Sequence, residues 1–79
     1  MALRELESVV LTTDLPAYGL RSGDIGTVVL VHDEGAGYEV EFVTLTGETV
    51  AVVSLSASQV HPIAPREIAH ARSVEPISN

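Results

Sequence analysis

Residues 38–43, YEVEFV, alternate without a break: Tyr38, Val40 and Phe42 fall on one side, Glu39 and Glu41 on the other. A period of two is what a half-buried β-strand requires, because successive side chains leave opposite faces of a sheet. The segment lies between two stretches dense in turn-forming residues, DEGAG (33–37) and LTGE (45–48). It therefore reads as the middle strand of a meander with a tight hairpin on either side.

Around this strand the pattern repeats more coarsely. ESVVLT (7–12), GTVVLVH (26–32), TVAVVSL (49–55) and VHPI (60–63) are short aliphatic, β-branched runs bounded by breakers, and Pro62 suits an edge. TDLPAYGLRSGD (13–24) has no sustained period and reads as a long loop whose Leu15, Tyr18 and Leu20 fold back under the sheet. SASQ (56–59) has the character of a single 3₁₀ turn. From Ala64 the composition changes. Pro65 can open a short helix running to Ala71 or Arg72, Pro76 would end it, and the last few residues read as mobile. Five short strands, a long first loop and tight later turns predict an all-β chain. The expected architecture is a small five-stranded SH3-like barrel over residues 1–63, with a C-terminal tail over 64–79 that is either a short helix or flexible.

Charge narrows the partners. The chain carries a net charge of −7, with four arginines and no lysine, and the arginines are scattered at positions 4, 21, 66 and 72. Nucleic-acid affinity comes mainly from cations that neutralise phosphates, so neither nucleic acid nor an anionic membrane is expected as a partner. A basic protein is permitted. Without cysteine, neither a disulfide nor a thiolate zinc site can help stabilise a domain of 79 residues. Acidic residues interrupt the N-terminus, and no apolar run approaches the ~18 residues of a membrane span, so a cytoplasmic location is expected.

SGDIGTVVLV (22–31) superficially suggests a phosphate loop, but the order of its parts is wrong. A P-loop needs a lysine at the start of a helix, and a dinucleotide loop runs from strand through glycines into a helix. Here the glycines precede a β-branched run. Gly23 and Asp24 are read as a structural turn, with Gly26 allowing a bulge or a close backbone approach as the strand begins. GDIGTVV also resembles the start of a KOW-type SH3-like module. Residues 9–63 more closely resemble a family of small bacterial proteins described as a domain of unknown function. Its pattern is L-P-x-x-G-L-x-x-G-D-x-G-T-V-V followed by Y-E-V-E-F and G-x-T-x-A. Leu15, Pro16, Gly19, Leu20, Gly23, Asp24, Gly26, Thr27, residues 38–42 and Gly47 carry the match. The resemblance implies an SH3-like barrel, no established catalytic residue, and a partner encoded beside it in a toxin–antitoxin-like arrangement.

The polar residues assemble no recognisable chemistry. Glu39 and Glu41 are i, i+2 neighbours on one strand face, about 7 Å apart and solvated, which suits a polar surface better than acid–base catalysis. DEGAG lacks the ligand spacing of an EF-hand. His32, His61 and His70 form no metal-binding pair, and Ser54, Ser56 and Ser58 sit in no nucleophile elbow. The chain is read as non-catalytic and without a cofactor. The more informative feature is surplus aliphatic surface. Strict alternation puts Val28 and Leu30 on one face and Val29 and Val31 on the other. It likewise sets Ala51, Val53 and Leu55 against Val50 and Val52. The tail, through Ile68 and Val74, the long first loop, or a protein must cover the second set. The expected interface is Val29, Val31, Val50 and Val52 with an acidic rim of Glu39, Glu41 and Glu48. It would serve a homodimer or a dedicated partner; the alternative is an accessory subunit of a larger enzyme or electron-transfer complex.

Overall fold

The computed structural model describes residues 3–75. Its strands are β1 (Ser8–Leu11), β2 (Ile25–His32), β3 (Gly37–Val43), β4 (Thr49–Ser56) and β5 (Val60–Pro62). They form one antiparallel sheet in the order β4-β3-β2-β1-β5. Single 3₁₀ turns at Pro16–Tyr18, Asp33–Gly35 and Ala57–Gln59 make the connections compact. The last carries a reciprocal cap: Gln59 Oε1 accepts the Ser56 N–H at 2.8 Å.

The alternation in β3 decides which face is buried. Tyr38, Val40 and Phe42 all point inward and are almost wholly removed from solvent. Val9, Leu11, Val28, Val53, Leu55 and Val60 join them from the other strands. The first loop contributes Leu20, held by the Leu15–Leu20 bridge, while Leu15 is half-buried and Tyr18 stays largely exposed. Leu3 seals one end, and its N–H donates to Tyr38 Oη at 3.3 Å. The tyrosine hydroxyl thus has a partner where the ring is buried, as its desolvation demands.

Gly26 explains how β2 enters the sheet. It pairs with Val9 of β1, and an added Cβ would stand 2.6 Å from Val40 Cγ1 and 3.0 Å from the Glu41 carbonyl oxygen. No side chain fits between the strands at this point. Gly23 serves differently: its φ of +96° closes the turn, and its N–H donates to the Leu11 carbonyl at 2.7 Å.

One expectation is corrected, and one alternative left open is narrowed. Strict alternation fails in β2, where the pairing jumps from Val28–Val40 to Leu30–Glu39 and leaves Val29 as an extra, bulged residue. Beyond it the faces exchange: Leu30 is outside beside Glu39, and Val31 pairs with Tyr38 and packs against the core. A second irregularity between Phe42 and Val43 lets both Val50 and Ala51 pack against the core. The tail, in turn, forms no helix over residues 64–75. It makes one turn in which Glu67 Oε1 accepts the Ala64 N–H at 2.6 Å and Arg66 adopts a φ of +68°. That left-handed residue ends any helix before it begins, and so short a helix has little intrinsic stability to oppose it. Pro76 and the mobile end expected beyond it lie outside the described residues.

Candidate interaction face

The outer face of β2, β3 and β4 is organised in three rows set by the strand register. Ile25 and Val43 lie at one end. Thr27, Glu41 and Val52 cross the middle. Leu30, Glu39 and Ser54 form the third row, with the bulged Val29 beside it. Exposure is substantial for the aliphatic members, at 42% for Ile25, 38% for Val29, 45% for Leu30, 46% for Val43 and 52% for Val52. Of the residues the sequence singled out, Val29 and Val52 share this face with Glu39 and Glu41. Glu48 is exposed in the β3–β4 turn, while Val31 and Val50 are half-buried against the core. Leu30 escaped the sequence reading because only the bulge at Val29 brings it outward, whereas Val43 simply continues the outward side of the β3 alternation.

The carboxylates are fixed by neighbours on the same face. Glu39 Oε2 accepts hydrogen bonds from Ser54 Oγ and, at 2.7 Å, from His32 Nε2. The Ser54 hydroxyl, then the His32 ring, hold its carboxyl below the ordinary range. Glu41 Oε2 accepts the Thr49 hydroxyl at 2.7 Å. Serine, glutamate and histidine meet here, but in an order that does not activate a nucleophile. The carboxylate stands between the hydroxyl and the imidazole, and an acid held below its usual range is a weak base. Ser56 and Ser58 bond to one another in the 3₁₀ turn. Among the described residues no cluster of three or more His, Asp and Glu could hold a metal ion. Nor is any helix among them long and apolar enough to cross a membrane.

At the Ile25–Val43 end the tail returns to the sheet. Arg72 Nε donates to Asp24 Oδ1 at 2.9 Å, and Nη2 donates to Asp24 Oδ2 and, at 3.0 Å, to the Gly19 carbonyl. Asp24 also accepts the Arg21 N–H at 2.8 Å. Burial alone would raise the Asp24 pKa, but the Arg72 guanidinium and the Arg21 N–H outweigh it and leave the carboxyl below its ordinary value. Asp24 is therefore more than a turn residue: it anchors the tail. Between tail and sheet lies a groove of about 690 Å³, lined by residues that include Ile25, Phe42, Val43 and Val50. Val74 is half-buried, whereas Ile68, also expected to cover the sheet, stands in solvent.

Sheet, turns and outer face together define an all-β antiparallel module whose most distinctive surface is apolar and acidic at once. Over residues 5–62, well over half its length, the chain matches the family described as a domain of unknown function (DUF4926), and it belongs to that family. No curated protein and no solved structure matches it.

Proposed function

We propose that the chain is a non-catalytic protein-binding module, built as a KOW-like, SH3-like barrel, that engages a basic partner protein through the outer face of β2, β3 and β4. One observation carries the reading: five exposed aliphatic side chains share a sheet face with two ordered carboxylates. Burying the aliphatic residues supplies affinity, and the fixed negative charges select against acidic partners and steer basic ones. A chain at −7 stacking this face on its own copy would trap like charges between two sheets, so the occupant of the face is a different protein. The three-residue turn that joins β4 to β5, strands at opposite ends of the sheet order, requires the sheet to curl and supports the barrel assignment. The resemblance to small proteins encoded beside one another supports a dedicated partner, in a toxin–antitoxin-like pair, at a cytoplasmic site.

The experiment is co-expression with the product of the flanking open reading frame, followed by co-purification. A stable complex is expected, lost when Val29→Glu is introduced while the thermal transition stays near that of the parent. Failure of the parent chain to retain that product, or retention unchanged by Val29→Glu, would overturn the reading.

A further inference from the structure

The two edges of the sheet differ in kind. β5 is three residues long and ends in Pro62, so it offers little to a further strand. β4 runs for eight residues, TVAVVSLS, with no charge, proline or glycine. Among the described residues its only strand partner is β3. The bulge disturbs its first residues, but from there on the pairing is regular: Ala51 through Ser56 oppose Phe42 through Gly37 in unbroken register. Proteins usually blunt so long an edge with lysine, proline or a covering segment. This one carries none of the first two.

The register identifies the groups left unpaired. The Ala57 N–H donates to the Ala36 carbonyl at 3.3 Å, so alternation assigns Leu55, Val53 and Ala51 to the pairs that bond to β3. Ser56 fits the opposite class, because its N–H turns to Gln59 Oε1. The N–H and C=O groups of Val52 and Ser54 therefore point away from the sheet. Both residues are exposed.

We propose that β4 is a self-association edge, pairing antiparallel with β4 of a second copy about a two-fold axis at Val53 to give one continuous ten-stranded sheet. In that register Val52 lies opposite Ser54 of the second copy, and all four outward backbone groups on each chain are satisfied. Charge selects the occupant. The edge itself is neutral, which suits a like strand. Glu41 stands about 14 Å from Glu39 of the second copy, three strand spacings away, beyond the ~8 Å screening length at physiological salt. Edge pairing thus avoids the repulsion that forbids face stacking, and it leaves the outer face open. The proposal stands apart from the binding of a basic partner.

The test is sedimentation velocity of the purified chain from micromolar to near-millimolar concentration, with no other protein present. A reversible monomer–dimer equilibrium is expected. Val52→Pro removes an N–H that β3 does not use, and it should weaken dimerisation about tenfold or more while far-UV circular dichroism is kept. A second variant, Val53→Cys, exploits the absence of native cysteine. The non-bonded Val53 pair brings the two Cα atoms to about 4.5 Å, within disulfide reach, so mild oxidation should give a covalent dimer. A concentration-independent monomer, an unweakened dimer of folded Val52→Pro, or no cross-link in Val53→Cys would overturn the proposal.

Discussion

Replacing Gly26 with alanine adds one methyl group at the most crowded crossing of the sheet. The new Cβ would stand 2.6 Å from Val40 Cγ1, 2.9 Å from Phe42 Cε1 and 3.0 Å from the Glu41 carbonyl oxygen, where ordinary carbon contacts need about 3.5–4.0 Å. None of the three can yield easily. Val40 is β-branched and wholly buried, Phe42 is almost so, and the third contact is backbone. Overpacking of this kind costs about 2–3 kcal/mol. A chain of this length has a total stability of roughly 4–12 kcal/mol, so the loss is large. Gly26→Ala should lower the thermal midpoint by roughly 10–20 °C and shift the urea midpoint without changing the slope. Gly23→Ala is the control. Its φ of +96° brings backbone strain of about 1 kcal/mol, but nothing lies within 4 Å of its Cβ. Circular dichroism melts of both variants decide the matter. A Gly26→Ala midpoint equal to the parent's, or higher than that of Gly23→Ala, would refute the close approach of β2 to β3.

Other outcomes follow from the polar contacts. Arg72→Ala should release the tail at a cost of about 1–2 kcal/mol, seen as lower heteronuclear NOE values over residues 64–75 with the sheet signals unchanged. Acid should do the same. The Asp24 carboxyl is held below its ordinary value, so its contribution is complete above the unfolded pKa of about 3.9 and is lost as pH falls through the lower folded value. Tail resonances should therefore hold their folded shifts down to about pH 4 and move only below it. Ser54→Ala removes the main donor to Glu39, and carbon-detected titration should find that carboxyl moved up toward the ordinary range.

Much of the sheet was legible in the sequence because its strands announce themselves by alternation and its turns by glycine. Residues 38–42 alternate polar with apolar, and the inward set is the set that is buried. The close approach at Gly26 was also legible, since a glycine entering a β-branched run has few other uses. The outward face was less so. In residues 28–31 every side chain is aliphatic, so no polar residue marks where the period slips at Val29. A bulge is a property of two paired strands, and the sequence of one does not contain it. The tail was left open between a helix and a flexible segment for a related reason. Its local composition permits a helix, but Arg72 is held by an aspartate 48 positions away, and that contact follows from the fold.

The claim that this face binds a basic protein is tested most directly by calorimetric titration of the purified chain with the purified product of the adjacent open reading frame, at low and at physiological salt. A saturable complex is predicted. Leu30→Glu should abolish it, and Glu39→Gln with Glu41→Gln should weaken it, most strongly at low salt, where screening is least. No binding by the parent chain, or binding indifferent to both the aliphatic and the carboxylate substitutions, would contradict the account.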